Sequence, residues 1–265
     1  MNISSKVVIG ASGVSLFSWL TNKLYGNLTD SVYDRRAHIY EPAGIVSIII
    51  PAFNEEAYIE QALKSILSQN IIHKYPDYFE CIVVDNESTD TTTEIAKQYC
   101  QVISAPRGML NARHAGILEA SGDIMVSCDA DSYYPPNWLN LILRHFHKPK
   151  VVAVYGPHLL QGNLLYKIGM VWYMNLIHYA FSGSGCSYLK DAYLTVGGFN
   201  LSIDQFNREK MQIESEMVLP AKLHTIGEIV FEIKACNFAS ARHLELKDIR
   251  PKSRYVQEVR RGERF

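Results

Sequence analysis

The chain has 265 residues, 48% of them hydrophobic, and carries 26 Lys plus Arg against 27 Asp plus Glu, a net charge of −1. This composition excludes disordered and collagen-like chains and leaves enough apolar mass for one large α/β domain or two small ones. The near-neutral balance argues against a general nucleic-acid binder, which carries a strongly basic face.

Residues 1–44 read as an N-terminal extension. Within it, Val7 to Leu20 is a 14-residue apolar run, short of the roughly 20 residues that cross a bilayer. Two readings stay open: a helix packed on the domain, or an interfacial helix with Trp19 and Lys23 at its polar edge. From Ile45 the pattern becomes regular. Ile45 to Asn54 is an almost continuous β-branched run that suits a strand buried on both faces. Glu55 to Gln69 has helical spacing, with Ile59, Leu63, Ile66 and Leu67 on one side. Phe79 to Val84 reads as a strand, Thr91 to Tyr99 as a helix capped from Ser88, Thr89 or Asp90, and Gln101 to Ser104 as a strand. Leu110 to Ala120 is a helix closed by Ser121 and Gly122. Asp123 to Cys128 is a strand, Pro136 to His147 a helix, and Val151 to Tyr155 a strand.

This alternation implies right-handed βαβ units in a parallel sheet. Beyond it the order loosens. Leu164 to Phe181 is long and apolar, but Lys167, Asn175 and His178 favour a buried or membrane-facing helix over a spanning one. Ser187 to Leu189 and Ile229 to Ala235 read as strands, and Lys210 to Thr225 as a helix closed by Gly227. The five cysteines, Cys81, Cys100, Cys128, Cys186 and Cys236, are odd in number with no CxxC pair. They read as reduced core residues of an intracellular protein.

Three polar segments fall where strands end, and ligands of parallel sheets sit at the carboxyl ends of strands. The segments are Pro51-Ala52-Phe53-Asn54-Glu55-Glu56, Asp85-Asn86-Glu87-Ser88 and Asp129-Ala130-Asp131-Ser132. A strand-end carboxylate such as Asp85 can hydrogen-bond a ribose or a base edge. Residues i and i+2 of extended backbone point to the same side, so Asp129 and Asp131 can share one divalent cation. Mg²⁺ takes one or two carboxylates and completes its shell with water and phosphate oxygens. The alternative reading of Asp-x-Asp is a turn-capping pair.

In this order and context the sequence resembles the family 2 glycosyltransferases, inverting enzymes of the GT-A fold, over roughly Ile45 to Arg242. The likeness extends to Leu110 to Gly116 (LNARHAG), Gly122-Asp123, Gly183 to Gly198 (GSGCSYLKDAYLTVGG) and Ser240-Ala241-Arg242. The resemblance implies an α/β fold, a single Rossmann-like domain over 45–243 with a mainly parallel sheet flanked by helices, followed by a basic tail over 244–265. It implies that Pro51, Ala52, Asn54, Glu55, Asp85, Arg113, Asp129 and Ala130 serve the nucleotide sugar, with Arg113 near the phosphates. The resemblance further implies that Asp129 and Asp131 form the metal-binding DxD for Mn²⁺ or Mg²⁺, with His243 a candidate third ligand. The family's catalytic base is usually an acid opening a helix that runs to a Gly. Matching Leu219, Leu223 and Gly227 to that pattern puts Glu216 where the usual Asp stands, with Glu214 as the alternative.

The implied reaction is metal-dependent transfer of one sugar from a UDP- or GDP-sugar to a hydroxyl of a glycan or lipid-linked acceptor. Gln257-Glu258-Val259-Arg260-Arg261 lacks the Trp of processive members, so a single transfer is expected. Lys247 to Phe265 holds seven Lys or Arg against three acids; it reads as a solvated end or as a contact for anionic headgroups, which would set a cytoplasmic enzyme at a membrane face. The sequence leaves donor, acceptor and oligomeric state open. Two rivals stand beside this reading: a haloacid-dehalogenase-like phosphohydrolase, in which the Asp-x-Asp would fall on the first strand, and a non-catalytic nucleotide-sugar binding module.

Overall fold

The computed structural model describes residues 30–34, 36–160, 185–203, 206–207, 210 and 214–240, with the backbone alone at Leu160 and Glu216. The expectations for Val7 to Leu20, Leu164 to Phe181, His243 and the basic tail lie outside these residues.

Strand β1 (Val46–Ala52) sits inside a seven-stranded sheet. With β2 (Phe79–Asp85), β3 (Gln101–Ser104) and β4 (Ile124–Ser127) it forms the parallel half, in the order β3-β2-β1-β4. Beyond β4 the order continues through β8 (Cys186–Leu189), β6 (Val151–Tyr155) and β9 (Glu228–Phe231). β8 runs antiparallel to both neighbours, and β6 and β9 are parallel to each other. The architecture is α/β with a mainly parallel central sheet, as expected.

The apolar run of β1 has a direct reading in the packing. Successive side chains of a strand point to opposite faces, so Ile48 and Ile50 enter one core while Ile49 enters the other. The first core is closed by α1 (Ile59–Leu67) and α5 (Trp138–Leu143), through Leu63, Ile66 and Trp138. The second is closed by α4 (Met109–Glu119), α6 (Lys190–Thr195) and α7 (Leu219–His224), through Leu110, Ile117, Tyr193 and Leu223. Each fully buried Ile or Leu contributes roughly 1.5–3 kcal/mol of transfer free energy. Gly116 lets α4 lie flat on the sheet: a Cβ there would stand 2.5 Å from Ile49 Cγ2 and 2.9 Å from Val84 Cγ2.

Several boundaries differ from the sequence reading. The first helix begins at Ile59 because residues 53–58 form a turn tied to the neighbouring loop. The helix expected over Thr91 to Tyr99 is the short α3 (Thr92–Ala96). The segment expected as one helix over Lys210 to Thr225 is, where described, a π-helical turn (Glu214–Val218) running into α7. The strand expected over Ile229 to Ala235 stops at Phe231. The helices α2 (Asn70–Lys74) and α6 had no clear periodic signal, being too short to show one. A small second sheet was also not anticipated: β5 (Ser132–Tyr133), β10 (Asn237–Ala239) and β7 (His158–Leu160), in the order β5-β10-β7. Strands of two or three residues carry too few alternations to read from sequence.

Candidate active site

The chain leaves β1 for β2 and β3 on one side, then returns to β4 on the other. The order of strands thus reverses between β1 and β4, and sheets of this kind bind ligands outside the carboxyl ends of the strands at such a reversal. The three polar segments meet there, because Ala52 is in register with Asp85 across β1 and β2, and Ile49 with Ser127 across β1 and β4.

The first two segments are laced together. Asn54 takes a left-handed backbone with φ 53°, which Asn tolerates better than most residues. Its N–H donates to Ser88 Oγ at 3.1 Å, and its Oδ1 accepts the Thr89 N–H at 2.8 Å. Glu55 N–H donates to Thr92 Oγ1 at 2.7 Å, and Glu56 Oε2 accepts from the Thr91 hydroxyl at 2.8 Å. Asp85, half-buried, accepts the Ser88 N–H at 3.1 Å. Asn86 spans to the third strand's loop, its Oδ1 accepting the Gly108 N–H at 2.8 Å. Arg107 lies over the Phe53 ring with its Cζ 3.7 Å from the centroid, a stacked guanidinium just beyond β1.

The third segment is anchored from two sides. Asp129 N–H donates to the Tyr134 hydroxyl at 2.7 Å. Tyr134 is held in turn by Ser65 and Gln69 of the α1 region: its N–H donates to Ser65 Oγ at 3.1 Å and its carbonyl accepts from Gln69 Nε2 at 3.0 Å. From the opposite face Arg113, only 2% exposed, donates from Nη2 to Asp129 Oδ1 at 2.8 Å. Arg113 Nε and Nη1 have no partner among the described residues. Pro51, Ala52, Ala130 and Asp131 stand at the same edge, Ala52 and Ala130 buried, Pro51 and Asp131 half-buried. β4 ends at Ser127, and Ala130 and Asp131 lie in a turn in which the Ser132 N–H donates to the Asp129 carbonyl at 3.4 Å, so the pair is carried by a turn and not by the extended backbone expected. Two carboxylates are still hard oxygen donors of the kind Mg²⁺ or Mn²⁺ takes, with the rest of the shell left to water and phosphate. Among the described residues no group of three or more His, Cys, Asp and Glu could hold a metal ion unaided. The donor set fits a cation shared with a diphosphate.

The second half carries the candidate acids. Glu214, 3% exposed, accepts the Asn200 N–H on Oε1 at 2.8 Å and stands 3.8 Å from Lys222 Nζ. Lys222 also donates to the Gly198 carbonyl at 3.1 Å. Tyr193 OH meets His114 Nδ1 at 2.8 Å and accepts the Phe199 N–H at 3.2 Å. Burial pushes the Tyr193 hydroxyl up and the His114 imidazole down, so both are neutral near pH 7. Glu216 lies on the π-helical turn, with its side chain outside the described residues.

Sequence reasoning missed the fastening residues Ser65, Gln69, Thr92 and Tyr134, together with the Arg107–Phe53 stack, and read Ser88 as part of the second segment or a helix cap and not as the acceptor of the Asn54 N–H. Their partners are distant in sequence. Gly122-Asp123, grouped with the site segments on resemblance, sits at the amino end of β4, where Asp123 Oδ2 accepts the Ile45 N–H at 3.0 Å. All five cysteines are free; Cys128 and Cys186 are buried. Burial holds both thiols protonated, Cys186 pushed up to about 12.

Residues 47–181 match the family model described as glycosyl transferase family 2, just over half of the chain. The chain belongs to glycosyl transferase family 2. Among curated family relatives, an uncharacterized glycosyltransferase of Haemophilus influenzae is 29% identical over 155 residues, 52% of this chain and 46% of its own. The hyaluronan synthase of Streptococcus pyogenes is 29% identical over 185 residues, 63% of this chain and 42% of its own. The chain thus spans under half the length of these two relatives.

Two solved structures share its fold. A mannosyltransferase of Pyrobaculum calidifontis, in complex with GDP-Man and Mn²⁺, has a TM-score of 0.58 at 18% identity, covering 96% of this chain and 72% of that one. TarS of S. aureus with UDP-GlcNAc gives 0.58 at 21%, covering 82% and 65%. The fold is GT-A. Among the described residues no helix is long and apolar enough to cross a membrane.

Proposed function

We propose that this family 2 chain transfers a single sugar from a UDP- or GDP-sugar to an acceptor hydroxyl of a glycan or lipid-linked substrate, with inversion. The observation that carries this reading is the placing of Asp85 at the carboxyl end of β2, and of Asp129 and Asp131 just beyond β4, on either side of β1 at the strand-order reversal. It is supported by the GDP-Man and Mn²⁺ of one structural relative and the UDP-GlcNAc of another.

Asp85 and the laced Pro51–Glu55 loop hold the nucleoside, with Ala52 and Ala130 lining the floor of the site. Asp129 and Asp131 hold a Mn²⁺ or Mg²⁺, whose contribution when bound is to stabilise the negative charge that builds on the leaving diphosphate. Arg113 reaches the phosphates through Asp129 and not by its own buried nitrogens.

Glu216 takes the acceptor's proton as the acceptor oxygen attacks the anomeric carbon from the face opposite the diphosphate. One C–O bond forms, the bond to the diphosphate breaks, and the centre inverts in a single displacement. The protonated Cys128 and Cys186 thiols suit a mechanism without a covalent enzyme nucleophile. Glu214 is already engaged by Asn200 and Lys222, which favours Glu216 as the base.

Titration calorimetry tests the donor site. UDP or GDP binds in the presence of Mn²⁺, and Asp131→Ala reduces that binding at least tenfold. If neither nucleotide binds, or if Asp131→Ala binds as wild type, the reading fails.

A further inference from the structure

The ion pair between Arg113 and Asp129 has a bearing on the cation as well as on the fold. Arg113 projects from α4 into the protein and is 2% exposed, and the Asp129 side chain is 32% exposed. Asp129 Oδ1 receives Nη2 at 2.8 Å, while Oδ2 has no partner among the described residues. Among the described residues the ion pair of the guanidinium is the one with Asp129. Asp129 is therefore the counter-ion of this buried charge. A buried cation without one would be strongly disfavoured, so the pair persists whether or not a ligand is present.

We infer that Arg113 sets the order of loading: it cancels one of the two aspartate charges, so that the cation enters with the nucleoside diphosphate and not ahead of it. The inference rests on the donor-site reading given above. Two effects of Arg113 oppose each other. By fixing the Asp129 rotamer it spares the cost of ordering a short side chain, a small quantity. By placing a positive charge against the same carboxylate it repels a divalent cation at close range in a partly desolvated site, which is the larger quantity. A free cation thus meets a site of reduced charge. A diphosphate restores the missing anionic charge and supplies the oxygens that two aspartates cannot. Arg113 acts through Asp129 and is a positioning residue.

Calorimetry on the full chain separates the possibilities. In the wild type, Mn²⁺ alone binds at least tenfold more weakly than Mn²⁺ in saturating UDP or GDP, and by linkage the nucleotide gains the same factor from Mn²⁺. Arg113→Gln, checked for folding by thermal melt, tightens binding of Mn²⁺ alone about tenfold and shrinks the coupling. Arg113→Lys, which keeps the charge, keeps the wild-type coupling; loss of that coupling in folded Arg113→Lys counts against the inference. Wild-type chain that binds Mn²⁺ equally well with and without nucleotide overturns the inference, and this arm needs no variant. So does a folded Arg113→Gln that binds Mn²⁺ alone no tighter than wild type. Failure of both nucleotides to bind at any Mn²⁺ concentration overturns the donor-site reading itself, whereas nucleotide binding without metal coupling overturns only the loading order.

Discussion

At the scale of single residues, Asp129 carries two duties that ordinary mutagenesis would confuse. It stands at the proposed donor site, and it neutralises Arg113 from a distance of 2.8 Å. Removing one partner of a buried pair typically costs 3–5 kcal/mol, because the other charge is left uncompensated. Solvent reaches the Asp129 side chain, which is 32% exposed, so the cost here is set lower, at about 2–3 kcal/mol. Asp129→Ala should therefore lower the melting temperature as well as donor binding. Arg113→Met combined with Asp129→Ala should recover most of the lost stability and none of the binding. A double-mutant cycle by thermal denaturation measures this; additive losses would show that the pair is not coupled. Loss of activity in Asp129→Ala alone is therefore weak evidence for a metal ligand.

At the scale of elements, the π-helical turn over Glu214–Val218 carries both candidate acids. One extra residue per turn rotates the side chains that follow it, and such turns often occur at functional sites. Glu214 is drawn inward to the Asn200 N–H and to Lys222, fastening the Gly197-Gly198 turn to α7. Glu214→Gln keeps an acceptor for Asn200 and should reduce kcat less than about tenfold, since only the weak charge contact with Lys222 is lost. If Glu216 is the base, as proposed, Glu216→Gln should reduce kcat by about 10²–10⁴ while donor affinity is nearly unchanged. Steady-state kinetics with calorimetric donor binding checks both; the reverse ranking would move the base to Glu214. In the sequence, matching Leu219, Leu223 and Gly227 puts Glu216 in the usual acid's place, and Glu214 stays open because a longer Glu and an intervening Ser215 depart from the family's usual pair.

For the whole molecule, the parallel half was legible because each of its strands is a short apolar run followed by a polar loop. Two strands, Gln101–Ser104 and Val151–Tyr155, have the boundaries read from sequence. The second half was less legible. Its strands β5, β7 and β10 are held by pairings between residues more than seventy positions apart, such as His158 with Asn237 and Ser132 with Ala239. Chain-distant charge pairs were invisible for the same reason, Glu232 being one. Burial pushes its carboxyl up, but hydrogen bonds from His145 and Arg144 outweigh this and hold it below the usual range. A carboxyl depressed in the folded state stabilises above its unfolded pKa, near 4.5, and that contribution is lost as pH falls through the lower folded value. Wild-type stability should then fall more steeply than that of Glu232→Gln between pH 5 and pH 3, as followed by urea denaturation. Parallel curves would refute the linkage.

The antiparallel strand β8 also governs how the molecule comes into being. β4 finishes at Ser127, yet the neighbour that covers its open side begins only at Cys186. During synthesis from the N-terminus, β1 to β4 can assemble from nearby contacts while the apolar border Ile124-Met125-Val126 waits uncovered for a distant partner. Pairings of such separation are slow to form, and an exposed apolar border invites pairing with another chain. The parallel half can therefore be the first part to fold and, until β8 arrives, the part most exposed to misassembly.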